Sequence, residues 1–108
     1  PKGLFDKNKK ATNFMRCFSF CSNVTLNKNI FSNEGNTDRF SGMNMLFNYC
    51  FQNAGEQNEN PGEAPELWKY ERGSSTWNTT GCFYNAKATN LTSDNKYNTE
   101  WGTPLNWN

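Results

Sequence analysis

Met43-Asn44-Met45-Leu46-Phe47-Asn48-Tyr49-Cys50-Phe51 is the stretch on which the fold turns. Met43, Met45, Phe47, Tyr49 and Phe51 share one parity. Asn44, Leu46, Asn48 and Cys50 share the other, as in a half-buried strand with its period of two. A rival pattern runs through the same residues. Phe40, Met43, Phe47, Cys50, Phe51 and Ala54 form a stripe at helical spacing, with Thr37 placed as N-cap and Gly55 as the C′ residue. The alternation is read as a strand; a helix over 38–54 is the alternative.

Upstream, 13–31 repeats the ambiguity. Phe14, Phe18, Phe20, Val24, Leu26 and Ile30 all fall on even positions, while Phe14, Cys17, Phe18 and Cys21 fit a short helical stripe. Phe, Cys, Asn, Val and Thr are indifferent helix formers, so extended structure is expected. Asn33-Glu34-Gly35-Asn36 reads as a turn. Residues 1–12 form a basic N-terminal arm, with Lys2, Lys7, Lys9 and Lys10 against Asp6. Leu4 and Phe5 are its docking candidates.

Downstream, 52–66 carries Gly, Pro, Asn and four Glu, the composition of an exposed acidic loop. Its spacing matches no calcium-binding loop. Residues 67–91 hold short aromatic and Thr-rich runs separated by Gly and Ser, as hairpins do. Trp101, Leu105 and Trp107 crowd a tail that is expected to bury its rings. No internal repeat is apparent, and 13–108 reads as one domain.

Composition sharpens the class. Only 34% of the 108 residues are hydrophobic, yet there are nine Phe, four Tyr and four Trp. Such rings each cover about 150–250 Å², so an aromatic core can replace the missing aliphatics. A core of this size is marginal and calls for a staple. Cys17, Cys21, Cys50 and Cys82 supply it as two disulfides, which implies an oxidising compartment. With 13–21 extended, Cys17 and Cys21 are too far apart to bond each other. Cys50 would then join one of them and Cys82 the other. The expected fold is mainly β, a small disulfide-linked sandwich or barrel with long loops; an α+β arrangement is the alternative.

The chain has no His and a net charge of +1. The first removes Ser-His-Asp and Cys-His catalysis and His-containing zinc sites. The second gives no electrostatic reason for nucleic acid or anionic membrane. No stretch has the length of a membrane-spanning helix, and none reads as a signal peptide. Nothing selects a carboxylate pair, a nucleophile elbow or a phosphate loop, so no enzyme activity, metal or cofactor is expected. The sequons at Asn23, Asn78 and Asn90 are glycosylation candidates. Trp68, Trp77, Tyr84, Trp101 and Trp107 are candidates for stacking on a ligand. The expected function is an extracellular or surface module that binds a glycan or protein through exposed aromatics and Asn. The alternative is a structural subunit of a filament, coat or envelope, assembled with copies of itself through its arm and tail.

Overall fold

Where strands were expected, the chain turns. The computed structural model describes residues 3–5, 7–32 and 36–91. Among them the only regular element is one turn of 3-10 helix, Leu67–Lys69. Three isolated parallel bridges, Asn13 to Leu46, Leu26 to Gly62 and Leu46 to Asn78, are the only sheet-like pairings among the described residues. The described residues form no β sandwich or barrel, and no helix over 38–54.

In their place stand three stacked rungs, 13–21, 46–54 and 78–86. Each is built from successive four-residue turns. In the first, Cys17 N–H donates to Phe14 O and Cys21 N–H to Phe18 O; the second pairs Cys50 with Phe47 and Ala54 with Phe51; the third pairs Cys82 with Thr79 and Ala86 with Phe83. The third residue of each turn has positive φ: Arg16, Phe20, Tyr49, Asn53, Gly81 and Asn85, all between 55° and 61°. The second residue never does, which is the type II pattern.

This geometry explains why both sequence patterns were misleading. A pair of type II turns returns the chain to the same face at positions i, i+3, i+4 and i+7. The inward set in rung two is Phe47, Cys50, Phe51 and Ala54, all fully buried. That is the helical stripe, produced without a helix because each turn contains a residue that no right-handed helix accommodates. The alternation holds only for the approach to the rung: Met45 and Phe47 are buried, but Cys50 is buried where Tyr49 was expected.

The rungs share one register. Phe14, Phe47 and Thr79 are equivalent, 33 and then 32 residues apart. Phe14, Arg16, Phe18 and Phe20 donate their N–H groups to rung two, and Phe47, Tyr49, Phe51 and Asn53 donate to rung three, at 2.7–3.2 Å. Equivalent rings therefore stack. Phe18 lies 5.2 Å from Phe51 at 4°, and Phe51 lies 5.3 Å from Phe83 at 8°. These separations sit just above the spacing of about 4.8 Å between hydrogen-bonded chains.

The returns between rungs close the core. Phe31 and Phe40, both fully buried, meet Phe47 edge-on at 5.7 and 5.4 Å. Tyr70 and Trp77 complete the cluster against Phe40. The second return pairs Leu26 with Gly62, 36 residues on, so it carries three residues beyond the register. The excess forms a bulge in which Glu56, Gln57, Glu59 and Asn60 are exposed, while Pro61, Ala64 and Pro65 beyond it are buried. Asn58 pins the bulge by donating to Asn23 O, Val24 O and Thr25 Oγ1 at 2.9–3.1 Å.

The basic arm folds onto the first rung. Phe5 stands 5.0 Å from Phe14 and 5.6 Å from Phe31, and its N–H donates to Ile30 O. The Arg39 guanidinium ties the arm down through Phe5 O, Asn8 O and Lys9 O. Leu4 remains exposed.

Candidate recognition face

Each type II turn sends its two central residues outward. Two turns on three rungs therefore display a grid of four columns: Met15, Asn48, Thr80; Arg16, Tyr49, Gly81; Ser19, Gln52, Tyr84; and Phe20, Asn53, Asn85. Arg16 is its one charge. Neighbours within a column interact. The Arg16 guanidinium lies 4.8 Å from the Tyr49 ring centroid, and Ser19 Oγ donates to Gln52 Oε1 at 3.1 Å. Tyr49 in turn covers Gly81, where an added Cβ would meet the ring at 2.5 Å.

The grid concentrates the exposed apolar surface. Among the described residues the exposed large hydrophobics are Leu4, Met15, Phe20 and Tyr84, and the last three lie on it. Phe20 is 64% exposed and Tyr84 45%. Amide side chains of Asn48, Gln52, Asn53 and Asn85 stand between them. Asn48 Oδ1 is buried, Gln52 Oε1 accepts from Ser19 and Asn53 Nδ2 donates to Glu56. Their other amide groups and Asn85 are left to supply donors and acceptors. Beside the grid runs a shallow groove of about 610 Å³, lined by Asn44–Leu46 and Thr76–Thr80. Its polar wall is ordered: Thr76 N–H donates to Asn44 Oδ1 and Thr80 N–H to Asn78 Oδ1.

The aromatic residues singled out from sequence separate. Trp77 is a core residue, 7% exposed, with its indole N–H on Met43 O. Trp68 is half-buried, edge-on to Phe83 at 5.7 Å. Tyr84 alone presents its ring outward. Trp101 and Trp107 lie outside the described residues. Sequence reasoning expected Asn to take part but did not single out Met15, Phe20, Tyr49, Asn48, Gln52, Asn53 or Asn85; the signal was their place in the middle of repeated turns.

Asn23 and Asn78 are exposed. Asn90 is engaged at both ends of its amide, accepting from Ala64 N–H and donating to Ala64 O, each at 2.8 Å. A glycan would be carried on that donating nitrogen. The four cysteines hold no disulfide in this structure. Cys17 and Cys21 are exposed, whereas Cys50 and Cys82 are buried beneath Cys17 in one inward column. Burial pushes the Cys50 and Cys82 thiols well above the ordinary value, with the neighbouring thiol above each adding to it. No three of the Cys, Asp and Glu side chains among the described residues converge on a common metal position. No helix among them is long and apolar enough to cross a membrane.

No family model, curated protein or solved structure matches this chain.

Proposed function

We propose that the protein is a non-enzymatic recognition module whose turn grid binds a glycan or a protein surface of low charge. The observation that carries this reading is the gathering of Met15, Phe20 and Tyr84 on one face, interleaved with amides. Exposed rings stack on sugar C–H faces or on apolar side chains, and the amides fix orientation. The grid is held by backbone turns and a stacked core, so little ordering is required on binding. The setting proposed with it is extracellular, with Asn23 and Asn78 open to glycosylation. The subunit reading draws less support, because Phe5 of the arm packs on its own chain.

A glycan array probed with the intact chain, together with binding to neutral protein surfaces, tests the proposal. Binding is expected to fall at least tenfold in Phe20→Ala/Tyr84→Ala and to persist in Leu4→Ala. Binding that survives the double substitution, or its absence on every surface tried, overturns it.

A further inference from the structure

Between the turns of successive rungs the hydrogen bonds run in one direction. They reverse only at the rung ends, where Leu46 N–H donates to Thr12 O, Asn78 N–H to Met45 O, Gly55 N–H to Cys21 O and Lys87 N–H to Ala54 O. Rung one donates to rung two at Leu46, Asn48, Cys50 and Gln52, and rung two donates to rung three at Asn78, Thr80, Cys82 and Tyr84. Between its ends each rung thus offers carbonyls on its upper edge and N–H groups on its lower. This differs from a parallel sheet, where each strand both donates and accepts along each edge. The bridges Asn13 to Leu46 and Leu46 to Asn78 sit where the direction reverses, and the pairing goes no further along the turns.

On rung one the equivalent carbonyls are those of Asn13, Met15, Cys17 and Ser19. None of the four receives a backbone hydrogen bond from a described residue. Two inward side chains along this edge are uncovered as well, Cys17 and Cys21, both exposed. Their inward counterparts Cys50 and Ala54, one rung down, are fully buried.

We propose that the upper edge of rung one is a docking site for a segment of a partner polypeptide, which folds onto it as one further rung of turns. The interface would continue the two that already join the rungs, with the same polarity and spacing. A row of acceptors selects a row of donors, so the occupant must present N–H groups at alternate residues. Two copies meeting by this edge would set carbonyl against carbonyl. Phe5 already fills the inward position above Phe14 and Phe18, at 5.0 and 6.1 Å. The incoming segment therefore carries small inward residues over Cys17 and Cys21. This is strand addition in its chemistry, main-chain bonds supplying affinity and side-chain fit supplying selectivity. It requires nothing of the turn grid's proposed ligand.

The probe is a peptide with the sequence of residues 78–87 carrying Cys82→Ala and Phe83→Ala. It is titrated into the isotopically labelled full chain. The backbone carbonyl carbons of Met15, Cys17 and Ser19 should shift saturably at millimolar peptide, in the Tyr84→Ala chain as in the original. The same peptide N-methylated at its four donor positions, those of residues 79, 81, 83 and 85, should lose at least tenfold in affinity. Absence of carbonyl shifts, or equal binding by the N-methylated peptide, overturns the proposal. So do shifts that appear on concentrating the protein alone, which would assign the edge to a second copy.

Discussion

Tyr49 lies directly over Gly81, and the contact leaves no room for a side chain there. A Cβ on Gly81 would stand 2.5 Å from Cε1 and 2.7 Å from Cδ1 of the ring, at a φ of +61°. Two costs combine. The left-handed backbone disfavours any L side chain by about 1–2 kcal/mol, and the ring must also move. Gly81→Ala is therefore expected to destabilise by about 2 kcal/mol or more. In Gly81→Ala/Tyr49→Ala only the backbone cost remains. Denaturant unfolding of the two singles and the double should give a coupling energy of the sign that marks relieved crowding. Simple additivity would contradict the contact.

Phe51 separates core from display. It is fully buried between Phe18 and Phe83, whereas Phe20 is mostly exposed on the same backbone design. Phe51→Ala should cost about 3–5 kcal/mol. Phe20→Ala and Tyr84→Ala should each change stability by less than about 0.5 kcal/mol. Thermal or urea unfolding checks both, and a large loss at Phe20 would place its ring in the core instead of on the grid.

The aromatic core was legible in composition, because seventeen rings with one Val and one Ile leave little else to fill it. The fold was not legible, and the reason is local. Arg16, Phe20 and Tyr49 adopt positive φ, a conformation that propensity assigns to Gly and Asn. Only Asn53, Gly81 and Asn85 advertise it. The repeat was hidden for a related reason. Phe14-Met-Arg-Cys-Phe, Phe47-Asn-Tyr-Cys-Phe and Thr79-Thr-Gly-Cys-Phe share just the inward Cys-Phe pair, separated by returns of unequal composition. Outward residues vary, with only Asn53 and Asn85 alike in one column, because the core does not constrain them. The grid was missed with it, since a display face becomes visible only once the turns are aligned.

Asn90 acts as a piece of backbone. Its side-chain amide pairs with both main-chain groups of buried Ala64. Asn90→Asp keeps the acceptor for Ala64 N–H but sets a carboxylate against Ala64 O. Loss of about 1–3 kcal/mol is expected at neutral pH. The introduced carboxyl is held better protonated, which raises its folded pKa above the unfolded value. The folded state then binds more protons, so the variant should recover stability as pH falls through that range. Unfolding curves at neutral and acidic pH test this, and a variant indifferent to pH would show that the clamp is not formed.

The buried thiols set an alkaline limit. Burial first, and then the thiol of Cys17 for Cys50 and of Cys50 for Cys82, hold both groups protonated well above the ordinary 9.0. The unfolded chain loses these protons near that value, while the folded chain retains them. Folding stability is therefore fully present below about pH 9 and declines as pH rises beyond it, because the unfolded state binds fewer protons. Each thiol contributes a slope of up to about 1.4 kcal/mol per pH unit until its folded pKa is reached. Tyr70, raised above 10.0 chiefly by burial, adds to the decline at higher pH. Cys50→Ala/Cys82→Ala should flatten the alkaline limb between about pH 9 and 10 whatever its effect on stability at pH 7. A thiol reagent supplies the companion measurement at neutral pH. Cys17 and Cys21 are exposed and should react in the native protein, whereas Cys50 and Cys82 should react only on unfolding. Four unreactive cysteines would mean that two disulfides form, and the alkaline limb would then be absent from the original chain as well.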